Sequence, residues 1–106
     1  MLLTTTNNIS GYENLEYIGL ISSELVIGIN IFKDIGASIR DIIGGRSKGY
    51  EEEISNAKVE IIKKLENKAR NKGADAIIGI DFNFQCMGTK NAMILISVVG
   101  TAVKLK

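Results

Sequence analysis

The chain has 106 residues, 45% of them hydrophobic and 24% charged, with thirteen Lys and Arg against twelve Asp and Glu. A formal charge of +1 gives no field strong enough to collect nucleic acid or an anionic membrane. The absence of His removes imidazole-based zinc catalysis and His acid–base chemistry, and a single Cys cannot form an internal disulfide. The length fits one domain, 1–106, with a core large enough to need no metal or disulfide staple.

The N-terminus reads Met1-Leu2-Leu3 and then a run of Thr and Asn. It lacks the basic start and apolar stretch of a secretory signal. No apolar run reaches the length of a membrane helix, and a cytoplasmic protein is expected. Residues 2–6 suit a short strand, and Asn7-Asn8-Ile9-Ser10-Gly11 has the composition of a turn. Residues 12–29 are dense in β-branched and aromatic side chains, which predicts a strand. Apolar residues fall on both parities there, so both faces are expected to be at least partly buried. Ser22-Ser23 marks a place for a bend.

From Asn30 the period changes. Ile31, Ile35, Ile39, Ile42 and Ile43 recur every three or four residues, which predicts a helix capped by Asn30 and stopped by Gly44. A Gly-rich turn, Gly44-Gly45-Arg46-Ser47-Lys48-Gly49, is expected before a second helix over 50–72. In that helix Ile54, Ala57, Ile61, Leu65 and Ala69 form one apolar stripe. Glu51, Glu52 and Glu53 fall at its expected start, Lys68, Arg70 and Lys72 at its end, and Gly73 beyond it. Glu60–Lys64 and Glu66–Arg70 are spaced as i,i+4 ion pairs.

The last third predicts a β-hairpin. Residues 76–87 alternate, with Ile78, Ile80, Phe82, Phe84 and Cys86 on one side and Asp81, Asn83 and Gln85 on the other. A turn over 88–91 leads into a return strand over 92–105. Pairing Met87 with Ala92 sets Cys86 opposite Met93 and leaves Ile94, Ile96 and Val98 on a face with no cover. Uncovered apolar strand surface points to a subunit contact.

Little in this inventory is catalytic. The Gly-rich turn matches neither GxxxxGKS/T nor GxGxxG, and the glutamates after it repel an anion. No nucleophile–base pair accompanies Tyr12, Tyr17 or Tyr50, so no enzyme is expected. Cys86 and Met93, facing each other in the expected register, would offer a thiolate and a thioether to a soft metal such as Cu(I). Arg40, Asp41 and Arg46, with Asp34 nearby, can bind a small polar ligand or pair across a subunit boundary. The latter role is purely structural: these residues would fix loop geometry and subunit contacts.

Three separated blocks resemble the YbjQ-like family of small bacterial and archaeal proteins. They are Asn30-Ile31-Phe32-Lys33-Asp34 with Ile39-Arg40-Asp41-Ile42-Ile43-Gly44-Gly45-Arg46-Ser47 and Tyr50-Glu51; Gly73-Ala74-Asp75-Ala76-Ile77-Ile78-Gly79-Ile80; and Val98-Val99-Gly100-Thr101-Ala102-Val103. The resemblance spans the chain. It implies an α+β fold with a mostly antiparallel sheet and a dodecin-like subunit. Two helices are expected to lie between an N-terminal strand pair and the C-terminal hairpin. It also implies a ring-like homopentamer, in some members a larger stack, with a heavy-metal-binding label and no established activity. A metal ion is thus the expected cofactor and the chain itself the expected partner. The expected ligand or interface residues are Asn30, Asp34, Arg40, Asp41, Gly44, Gly45, Arg46, Ser47 and Tyr50.

Overall fold

A computed structural model describes residues 1–28, 46–87 and 93–105. Its elements are β1 (Leu2–Leu3), β2 (Leu15–Gly28), α1 (Arg46–Asn71), β3 (Ala76–Met87) and β4 (Met93–Leu105). They build one mixed sheet in the order β1-β3-β4-β2, with α1 packed across one face. The helix expected over 30–44 and the turn over 88–91 lie outside the described residues.

The apolar stripe of α1 explains the layering. Ala57, Ile61, Leu65 and Ala69 are buried and Ile54 is half-buried. They press on Ile21 and Ile27 of β2, Ile77 and Ile80 of β3, and Ile96, Val98 and Ala102 of β4. Each large aliphatic side chain buried here contributes about 1.5–3 kcal/mol. The rest of the helix surface is charged and carries both expected pairs. Glu60 and Lys64 stand 3.8 Å apart, and Glu66 binds Arg70.

The helix starts earlier than the sequence pattern suggests. Arg46, Ser47, Lys48 and Gly49 belong to α1 and not to a turn before it. Glu51, Glu52 and Glu53 therefore fall beyond the first turn, which holds no acidic residue. A single Gly near a helix end costs about 1 kcal/mol, and packing of the long stripe downstream can offset that. The C-terminus is as expected. The Ala74 N–H reaches the Ala69 carbonyl and the Gly73 N–H reaches that of Arg70, the paired bonds of a Schellman cap.

The N-terminal strands do not pair with one another, contrary to the expected arrangement. β1 runs parallel to β3 at one edge, with Leu2 beside Ala76, and β2 runs antiparallel to β4 at the other. The hairpin lies between them. Bonding beside β3 continues past β1: Gly79 N–H donates to the Thr6 carbonyl, and Ile80 N–H to that of Thr4.

In the hairpin, Met87 pairs with Met93, Phe84 with Ile96 and Phe82 with Val98. This is one residue away from the expected register. A slip of one exchanges the two faces of a strand relative to its partner. Ile96 and Val98 are 0% exposed and sit under α1, and Ile94 packs at the margin of the same core. The expected uncovered face is thus the covered one. Aligning these residues with Phe82 and Phe84 gives the helix one continuous apolar bed.

A bulge in β3 explains a second departure. Gly79 and Ile80 together oppose Gly100, and Gly79 has φ +60°, a left-handed conformation that glycine adopts without steric cost. The extra residue sends Ile77 and Ile80 both toward the helix. It turns Ile78 to the reverse face, away from Ile80 and Phe82, with Ala76 and Val103. Ile9, Leu15 and Leu105 pack against that smaller cluster. In β2 the irregularity lies at Ile18, between Tyr17 and Gly19, while Ser22 and Ser23 stay in register.

Gly100 faces the bulge at close range. A Cβ there would stand 2.7 Å from Ile77 Cγ2 and 3.3 Å from Ile80 Cγ1. We expect Gly100→Ala to destabilise the protein by about 1–3 kcal/mol through overpacking. Leu65→Ala should cost about 2–5 kcal/mol through the cavity it leaves. Urea unfolding at one fixed protein concentration measures both. Loss of less than about 0.5 kcal/mol at either position would contradict this description of the core.

Candidate functional site

The expected site residues fall into two groups. Asn30, Asp34, Arg40, Asp41, Gly44 and Gly45 lie outside the described residues. Arg46, Ser47 and Tyr50 lie in the first turns of α1. All three are therefore helical positions, and the expected loop geometry does not apply to them.

The sulfur pair is rearranged by the register. Cys86 pairs with Ile94, and Met93 pairs with Met87. Strand alternation then puts Cys86 on the side of Phe82 and Phe84, and Met93 on the reverse side. Cys86 and Met93 of one chain do not face each other. Two thioethers, Met87 and Met93, stand across from one another instead. Cys86 is a free and exposed thiol. Near it Phe82 and Phe84 stack with centroids 6.4 Å apart, and Lys58 Nζ lies 5.5 Å from the Phe84 ring centroid. Among the described residues no group of three or more His, Cys, Asp and Glu could hold a metal ion.

Among the described residues, part of the reverse face of the sheet is apolar and exposed. It carries Leu20, 73% exposed, and Val26 from β2, with Met93 and Val99 from β4. Tyr17, 69% exposed, stands near its upper end. Ser22, Glu24 and Ser97 interrupt the apolar surface. β2, expected to be at least partly buried on both faces, is largely buried on one and mostly exposed on the other. Only the side with Ile21, Ser23 and Ile27 is buried. The apolar residues of the other parity are exposed because the sheet has one helix layer among the described elements.

A groove follows the seam between β2 and α1. At one end Ser22, Ser23, Glu24, Lys64, Asn67 and Lys68 line a cleft of about 450 Å³. Lys68 Nζ donates to the Ser22 carbonyl there, at 2.6 Å. Farther along, Leu25, Val26 and Ile27 face Glu53, Asn56, Ala57 and Glu60 across a cleft of about 210 Å³. The charge changes sign along the helix, from basic beside Ser22 to acidic beside Ile27. The sequence signal for this is the order Glu53, Glu60, Lys64, Lys68 at helical spacing, which reads equally well as a solvated helix face.

Among the described residues one helix packs on one sheet of order β1-β3-β4-β2, a small α+β arrangement. A crystal structure of a protein of unknown function from Pediococcus pentosaceus, of the DUF74 family, has this fold. Its TM-score is 0.66 at 16% identity, covering 100% of this chain and 98% of that one. The model of the YbjQ family, described as "Putative heavy-metal-binding", matches residues 1–106. UPF0145 proteins of Listeria ivanovii and Listeria innocua are 42% identical over 106 residues, which is 100% of this chain and 96% of theirs. The chain belongs to the YbjQ family.

Because Cys86 and Met93 lie on opposite faces, they do not act as a pair within one chain. We expect Cys86→Ser to leave the amount of Cu(I) bound per chain unchanged in competition with a chromogenic chelator. A loss of half or more of the bound metal would show that Cys86 is a ligand after all.

Proposed function

We propose that the protein is a non-catalytic homo-oligomer built on a ring of five chains. It holds a heavy-metal ion or a small polar ligand at or near the contacts between subunits. The observation that carries this reading is the match of the whole chain to a family described by heavy-metal binding. The chemistry of the chain favours a shared site. With no His, and with Cys86 outside the motif, a single copy has few donors for a cation, and a contact between copies repeats each donor it contains. The exposed apolar residues Leu20, Val26 and Val99 supply surface for such contacts.

This reading assigns the ligand to the motif that leads into α1. Arg40 and Arg46 are its guanidinium donors, Asp41 its acceptor or orienting group, and Gly44 and Gly45 allow close backbone approach. Asn30, Asp34, Ser47 and Tyr50 complete the set. The protein acts in the cytoplasm with neither nucleic acid nor membrane as partner. No helix among the described residues is long and apolar enough to cross a membrane.

Native mass spectrometry of freshly purified protein tests the reading, with elemental analysis of the same sample. We expect chains in multiples of five and a retained metal or small mass. A single chain at micromolar concentration would overturn the assembly. Arg46→Ala should keep the copy number and lose the retained mass. If that variant instead falls to single chains, Arg46 is architectural.

A further inference from the structure

The helix side of β2 is apolar with one exception. Ile21 and Ile27 are buried and Leu25 packs on the same core, yet Ser23 between them is only 2% exposed. It is the one buried polar residue among the described residues. Its hydroxyl makes no hydrogen bond there, and no described oxygen is both sealed from solvent and unpaired. The Ser23 hydroxyl therefore keeps an opening, and the space it opens on is the cleft that Ser23 lines under α1. A buried hydroxyl without a partner is costly, and most such groups in folded proteins are paired.

The helix brings cations to the same cleft. Lys64, Asn67 and Lys68 share one turn of α1 at spacings of three and four, and all three line it. Lys68 Nζ donates to the Ser22 carbonyl at 2.6 Å, which occupies one of the three N–H groups of the ammonium. That anchor fixes the positive charge at the cleft and leaves its other N–H groups to donate. Lys64 is tied more loosely, 3.8 Å from Glu60 in an exposed pair. Asn67 adds amide N–H donors.

We propose that this cleft binds a phosphate-type oxyanion, free or as the end group of a small metabolite. The Ser23 hydroxyl is the buried donor, Lys68 the anchored cation, and Lys64 and Asn67 close over the bound group. Bonds from an ammonium to an oxyanion are roughly twice as strong as neutral ones. The oxyanion also gives Ser23 the partner that the fold withholds. A water molecule satisfies the hydroxyl as well, but leaves two clustered ammonium groups without a role. The cleft volume of about 450 Å³ is larger than a single phosphate needs and leaves room for an organic portion. Glu24 lines the rim from the other parity of β2, so its carboxylate opposes the anion without meeting the buried donor. The site stands on β2 and α1 and is separate from the Arg40 to Tyr50 motif.

Calorimetry and thermal unfolding of the full chain test this, with inorganic phosphate and with glycerol phosphate in buffer free of other oxyanions. We expect saturable binding of one oxyanion per chain and a higher unfolding midpoint in its presence. Ser23→Ala and Lys68→Met should each weaken binding by about tenfold or more. Without oxyanion, Ser23→Ala should unfold no earlier than the unaltered protein, since it removes a buried hydroxyl that has no partner. Its loss of binding is then not a loss of fold. Lys63→Met, at an exposed lysine of α1 outside the cleft, should change nothing. Glu24→Gln should tighten binding. Tighter binding of the ester identifies a metabolite as the source, and the reverse order identifies the free ion. No saturable binding of either up to about 10 mM would overturn the site. So would binding that survives both Ser23→Ala and Lys68→Met; if Arg46→Ala abolishes that binding, the anion belongs to the motif instead.

Discussion

The interaction on which the structure depends is the seating of the α1 stripe on β4. Ile61, Leu65 and Ala69 bury completely, and so do Ile96, Val98 and Ala102 beneath them. β4 is the inner strand that touches both β2 and β3, so the helix clamps the strand holding the sheet together. The other features follow from keeping that bed continuous. The hairpin register aligns Phe82 and Phe84 with it, and the bulge at Gly79 returns Ile80 to it after Ile77. Gly100 remains side-chain-free because two isoleucines converge over it.

The sequence patterns differ in how much of this they expose. Helical spacing from Ile54 to Ala69 identifies α1 and its buried face, because the 3.6-residue period is a local property. The bounds of β3 are also legible from its alternation. Register is not local. Pairing Met87 with Ala92 or with Met93 leaves the alternation of both strands intact, and the burial of Ile96 and Val98 under α1 goes with the second. The bulge hides for a related reason. Gly79 interrupts an alternating run without breaking it, so Ile78 and Ile80 read as one face although they point apart. Similarly, nothing near Leu2 or Leu15 tells which edge of the hairpin each will join.

For the candidate site the same distinction holds. Cys86 and Met93 are conspicuous as residue types, but their meeting depended on a register that only packing sets. The motif from Arg40 to Tyr50 is legible as a family resemblance, and its helical continuation through Arg46 and Ser47 is not, since paired glycines normally announce a turn. The groove beside β2 carries no residue unusual enough to notice. Its polarity is visible only once Lys64 and Lys68 are known to lie over Ser22, and Glu53 and Glu60 over Ile27. Identity in the chain's own family and shared fold with a distant structure therefore bear on different things. The first gives the family and its printed description, the second only the layering.

The parallel pairing of β1 has a consequence for biosynthesis. Leu2 is synthesised well before its partner Ala76, which emerges after α1 has been made, and the Thr4 and Thr6 bonds wait for Ile77, Gly79 and Ile80. During synthesis the opening residues can therefore join the sheet only once β3 exists, the reverse of their order in the chain. An affinity tag fused directly ahead of Leu2 would interfere with that step.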